Sequence, residues 1–161
     1  MANPSTITRQ TPSSGYMKEG HSTKVAFSAR PQFSAWEIEV QPPGIDRGDP
    51  INITTMHNVT WETMYAKVLK TLTPFNLILA YSLEAFDDVT DYIIDALDGS
   101  ITCHFPGGDK LDVFAFMQNF IPQSHKRGEM PTANSSICPT NFDRANNVEA
   151  GPVLTLAAGT P

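Results

Sequence analysis

The chain has 161 residues and a net charge of −6, with charged residues at 17% and hydrophobic residues at 40%. The length fits one domain, and the charge content lies below the roughly 25% usual for a free-standing globular protein, so a surface partly covered by other subunits is expected. The acidic balance argues against a tight grip on nucleic-acid phosphates, because the only basic cluster, His125-Lys126-Arg127, is too short to track a backbone.

Residues 1 to 31 are rich in Ser, Thr, Pro, Gly and Lys and read as an arm or long loop for contacts between subunits, with one strand around Lys24 to Ser28. The start, MANPSTITRQ, lacks an apolar leader core, so synthesis in a cytoplasm is expected. No apolar run reaches the roughly 18 residues of a membrane span. "GYMKEGHS", residues 15 to 22, is a near miss for a phosphate-binding loop, with His21 where the lysine must stand and no strand-then-helix context.

The main domain is expected over residues 32 to 161. "FSAWEIEVQPPG" alternates, with Trp36, Ile38 and Val40 on one side, Glu37 and Glu39 on the other, and a stop at Pro42-Pro43-Gly44. "DPINITTMHN" reads as a second strand with Ile51, Ile53 and Thr55 on one face, and "VTWETMYAKVLKTLTP" as a loop with a short helical turn ending near Pro74. "FNLILAYSL" reads as a strand covered on both faces, since its apolar residues do not alternate cleanly.

"EAFDDVTDYIIDALDG" follows as the one clear helix. Phe86, Val89, Ile93, Ala96 and Leu97 share a face, Asp87 and Asp88 sit in the first turn, and Gly99 is placed to end it. Asp87, Asp91 and Asp95 make a solvated stripe rather than a metal cluster.

"SITCHFPGGDKLDVFAF", residues 100 to 116, is two runs of strand formers around a Pro106 to Asp109 turn. A further strand is expected from Glu129 to Cys138, a polar loop over residues 141 to 150, and a terminal strand in "GPVLTLAAG". The sum is a mainly β domain of six to eight strands and one flanking helix, packed as a sandwich or barrel.

No chemistry is legible. His21, His57, His104 and His125 have no histidine partner at i+2 or i+4, and G-x-S-x-G and H-E-x-x-H are absent. Cys103 and Cys138 have no zinc spacing and read as buried apolar thiols. Three glycosylation sequons begin at Asn52, Asn58 and Asn134; without a secretory leader they are taken as chance. No catalytic residue, cofactor or metal is expected, and a small β-barrel enzyme or ligand binder would need convergent polar groups that the scattered histidines do not supply.

The order of features resembles the major tail tube protein of long-tailed, non-contractile bacteriophages, the group typified by phage lambda. The resemblance covers roughly residues 33 to 156 and rests on five stretches in sequence: "WEIEVQPPGIDRGDP"; "INITTMHN"; "NLILAYS" followed by "AFDDVTDYIIDAL"; "ITCHFPGGDKLDVFAFMQNFIPQ"; and "GEMPTANSSICPTN", where Asn141 stands in place of the more usual Gly. Each is a turn plus a pattern, and none is a catalytic fingerprint.

The resemblance implies a virion protein whose six-membered rings stack into a tube. The genome passes through it at infection without specific binding. Its partners would be further copies of itself, the tail-tip initiator, the tail terminator and a tape-measure protein inside the tube. Glu37, Glu39, Asp112 and Gln118 are the polar strand positions that alternation offers for the channel. Rival readings are a capsid decoration or tail-completion protein, and the tube protein of a contractile tail or a type VI secretion system.

Overall fold

A computed structural model of the chain describes residues 23–31, 36–95 and 97–157. The chain is mainly β with one helix. Its centre is a seven-stranded antiparallel sheet. In chain order its strands are β1 (Lys24–Phe27), β2 (Glu37–Val40), β7 (Phe75–Ala80), β8 (Asp98–His104), β9 (Lys110–Pro122), β10 (Thr132–Pro139) and β13 (Val153–Thr155).

In space the order is β1-β8-β9-β10-β7-β2. The long β9 pairs with β10 through its second half, and β13 takes the register of Lys110 to Asp112. The sheet curls until its first and last strands meet. There Glu37 Oε1 accepts from the Val25 backbone N–H at 2.8 Å, a side-chain clasp between β1 and β2. β1 is thus an integral strand of the domain; of the arm expected over residues 1 to 31, residues 1 to 22, with the "GYMKEGHS" stretch, lie outside the described residues.

The curl encloses one core. β7 gives Phe75, Leu77 and Leu79 to it, β8 gives Ile101 and Cys103, β9 gives Val113, Ala115 and Met117, and β10 gives Ala133 and Ile137. These alternate with half-buried or exposed neighbours, as a two-residue period dictates. β7 was expected to be covered on both faces. It is covered on one: Asn76 is exposed and Ile78 and Ala80 are half-buried on the other. An apolar residue on the outer face, Ile78, blurred the alternation.

Helix α1 (Leu83–Ile94) closes the core, with Val89 and Tyr92 buried and the Phe27 and Tyr92 rings edge to face at 5.7 Å. It starts where Ser82 Oγ accepts from Ala85 N–H at 3.1 Å. The first turn therefore carries Glu84, and Asp87 and Asp88 fall a turn later than expected. Ile93 and Leu97 lie partly buried against the core and Phe86 sits at the helix margin, whereas Ala96 lies outside the described residues. The acidic stripe is not wholly free: Arg30 lies 3.7 Å from Asp91 and 3.6 Å from Asp95.

The expected role of Gly99 is corrected. The helix ends at Ile94, and Gly99 lies within β8 opposite Ala115. A Cβ there would stand 2.8 Å from Ser28 Oγ, so Gly99 serves close packing between β8 and the chain after β1. The β8–β9 hairpin turns at Pro106 to Asp109 as expected, with Gly108 at φ 89°.

Residues 141 to 150 are not a plain loop. They form a small hairpin of β11 (Phe142–Asp143) and β12 (Val148–Glu149), with the left-handed backbone carried by Asn141 at φ 53° and Asn147 at φ 54°.

The segment between β2 and β7 departs most from expectation. It holds no helical turn and no long strand. It is a two-legged arm in which β3 (Ile45–Asp46) pairs β6 (Thr71–Leu72) and β4 (Ile51–Asn52) pairs β5 (Met64–Tyr65). Every residue from 44 to 71 is exposed. The large apolar residues of "VTWETMYAKVL", Val59, Trp61, Val68 and Leu69 among them, stay exposed in the single chain.

Candidate functional site

Two surfaces stand out, and neither is a pocket of reactive groups. The first is the arm. Its base is pinched where Thr73 N–H donates to Gly44 O at 2.9 Å and Gly44 N–H donates to Thr73 Oγ1 at 2.9 Å. Its tip is knitted by polar side chains. Asn58 Oδ1 accepts from Thr55 N–H at 3.0 Å, and Asn58 Nδ2 donates to Trp61 O at 2.9 Å and Thr63 Oγ1 at 2.8 Å.

Thr63 N–H donates to Thr54 Oγ1 at 2.9 Å, and Ile53 N–H to Thr63 O at 2.9 Å. The sequon residue Asn58 thus holds the tip in one shape. On that scaffold Met56, Val59 and Trp61 project with relative exposures of 103%, 97% and 82%. Exposed apolar groups contiguous on one element mark an interaction surface.

The second surface is the outer face of β2, β7, β10 and the far half of β9. Glu39, Asn76, Asn134, Ser136 and Asn119 lie across it, with Ile78 and Ile121 between them, around a shallow groove. β2, β7 and β10 hold no Lys or Arg, and β9 holds only Lys110, at the end beside β8. A bulge between Ser136 and Ile137 breaks the ladder, and Asn119 Oδ1 accepts the Ser136 N–H at 2.9 Å.

Of the four positions offered for the channel, Glu39, Asp112 and Gln118 lie on the side of their strands away from the core, and Glu37 turns to β1. Glu39 stands exposed on the polar face, opposite Ile78. Glu37 is half-buried and clasps β1, because a register shift between Glu37 and Glu39 breaks the alternation; the same shift leaves Ile38 exposed. Asp112 is half-buried on β9 and accepts a hydrogen bond from the Thr102 hydroxyl. Gln118 is exposed at the bulge, on the groove that also holds Phe116 and Arg144.

His104 lies on the face opposite Ile101 and Cys103, between Lys24 and Lys110 on the neighbouring strands. Cys103 is buried as expected, and burial with Asp112 nearby pushes its thiol up to about 11. Cys138 is only half-buried, a correction that follows from its place opposite Phe116 on the outer side of the bulge.

Burial, with Asp98 close by, also raises Tyr92. Its hydroxyl is buried without a hydrogen-bond partner among the described residues. Asp98 itself is held by Arg144 at 3.0 Å. At the opposite end Tyr81 stacks on Phe120 and meets His125 at 5.3 Å, capping the core where α1 begins.

Among the described residues no three His, Cys, Asp or Glu side chains stand close enough to share a metal ion, and no helix is long and apolar enough to cross a membrane. Comparison with protein-family models and with curated protein sequences finds no match.

Proposed function

We propose that the chain is a structural subunit of a bacteriophage tail tube, six copies to a ring and rings stacked into a conduit for the genome. The observation that carries this reading is the arm: residues 44 to 71 expose Met56, Val59, Trp61, Val68 and Leu69 while holding a defined tip. A monomer gains nothing from such a surface and is put at risk of aggregation by it. A subunit that is finished only by its neighbours needs it.

Two further features support the same reading. The outer face of β2, β7 and β10 is polar and lacks Lys and Arg, so phosphates passing over it meet hydrogen-bonding groups and the Glu39 carboxylate but no cation to hold them. β13 pairs with β9 along one side only among the described residues, and its Val153 and Leu154 are exposed. An open apolar strand edge is a joint for a strand of another subunit. On this reading the tip initiator, the terminator and the tape-measure protein are the other partners, the virion tail is the destination, and DNA is cargo rather than ligand.

Electron microscopy of the purified chain at rising concentration, alongside light scattering, tests the proposal. Tubes of even width with a central channel, built from six-fold rings, are the expected product. Particles that stop at a closed trimer contradict it and favour a capsid decoration protein.

A further inference from the structure

The arm carries two apolar surfaces, not one. Near its base, Ile45, Val68 and Leu69 line a groove of about 530 Å³ whose other wall is Asn141, Glu149 and Pro152. That volume lies inside the range of about 300–1,000 Å³ typical of pockets that hold a small organic group. At the far end stands the stiffened tip with Trp61. We propose that the tip of one copy seats in the base groove of the next, with Trp61 as the anchor, so that the arm is both plug and socket of a head-to-tail contact. This deepens the tail-tube reading and rests on its claim that the chain assembles with itself.

Two observations select a second copy as the occupant. Tip and groove are both bare within one chain: Trp61 is 82% exposed and Leu69 81%. No tip residue lines the groove, and side-chain hydrogen bonds with the β4–β5 pairing fix the tip's own shape. A preorganised apolar tip loses little entropy on docking.

Second, the charges match. Over residues 53 to 63 the tip has one carboxylate, Glu62, one imidazole, His57, and no Lys or Arg. The groove offers Lys70 on one wall and Glu149 on the other. Docking that sets Glu62 against Lys70 and His57 against Glu149 pairs all four polar ends around the buried indole.

Plug and socket are then different patches of one molecule. Such a contact repeats from copy to copy, and it closes into a ring or grows rather than stopping at two.

Cross-linking tests this directly. On a Cys138→Ser background, the remaining Cys103 is buried, and its raised pKa leaves it almost wholly protonated and slow to react. Thr60→Cys marks the tip and Thr71→Cys the groove; both positions are exposed, and neither substitution removes a proposed anchor. With a short bismaleimide, the mixture of the two variants is expected to give a covalent heterodimer that neither gives alone. The double variant is expected to give a ladder of multimers.

A product from Thr60→Cys alone means tip-to-tip contact and overturns the proposal, and so does a double variant that stops at dimer. Tubes that form without the tip-to-groove product leave the tail-tube reading standing and sink the docking. Cross-linked closed rings that never stack do the reverse. As a second measurement, Trp61→Ala should raise the concentration needed for assembly at least tenfold with an unchanged melting temperature. Unaltered assembly overturns the anchor role.

Discussion

The curled sheet and the arm between β2 and β7 belong to one chain but obey opposite rules. In the sheet, Phe75, Leu77, Ile101, Ala115 and Ile137 are wholly buried, and alternation puts each of these five on the core side of its strand. In the arm, residues 44 to 71 carry a comparable supply of large apolar side chains and bury none of them. The core of the sheet is closed within one chain. The arm has a fixed shape without a core, held by backbone pairs and by Asn58, Thr54 and Thr63. On the proposed reading hydrophobic residues do two jobs here, and only their place in the fold distinguishes stability from assembly.

Substitutions should separate the two jobs by size of effect. Leu77→Ala removes a fully buried side chain and is expected to destabilise the monomer by about 2–5 kcal/mol in urea unfolding. A loss below about 0.5 kcal/mol would mean that the sheet is not the stabilising core.

Alkaline pH should come next. Cys103 is raised from 9.0 to about 11, so the fold holds its proton more tightly than the unfolded chain does. The resulting stability is fully present below pH 9 and is lost as pH rises through about 11; Tyr92, also raised, adds to the loss in the same direction. Two units correspond to roughly 3 kcal/mol at most. Urea midpoints from pH 8 to 11 check this, and Cys103→Ala, which removes the titrating thiol, should flatten part of the decline.

Ser82→Ala removes the cap on α1 and is expected to destabilise the fold by about 1 kcal/mol, read by circular dichroism on heating. Restoration by Ser82→Asp would confirm capping rather than packing as the cause. The smallest effect belongs to the arm: Trp61→Ala should change monomer stability by no more than about 0.5 kcal/mol, as for a surface site. A larger loss would join the arm to the core and erase the distinction.

The sheet was largely legible because its signals are local. The Pro106 to Asp109 turn set the β8–β9 hairpin, Pro42-Pro43-Gly44 ended β2, and helical spacing marked α1. Gly99 was misread because one residue type serves two ends. A glycine past an acidic, amphipathic run looks like a helix terminator, while the need for close approach to Ser28 comes from the turn after β1, far away in sequence. The Glu37 clasp and the register shift beside it also depend on β1 and β7, so alternation over four residues could not foresee them.

The arm was misread for a deeper reason. Trp61, Met64, Tyr65, Val68 and Leu69 recur at helical spacing and Ile51, Ile53 and Thr55 at strand spacing, but with no core beneath them neither pattern is realised beyond the short β4–β5 pair. Better cues were the base residues Gly44 and Thr73-Pro74 and the Thr/Asn-rich "NITTMHNVT" at the tip, which is turn chemistry rather than strand or helix. The channel-facing positions were the least legible. Alternation offers Glu37, Glu39, Asp112 and Gln118, but a channel face is set by how copies meet, which strand period within one chain does not encode.

The most direct test of the account is oxidative footprinting of the arm before and after assembly. In dilute protein Met56 and Trp61 should oxidise readily and Met117, in the core, should not. In assembled particles the account predicts that Met56 and Trp61 become protected while Met117 stays as it was. Equal reactivity of Met56 and Trp61 in monomer and particle would contradict it, because the arm would then not be the surface that the next subunit covers.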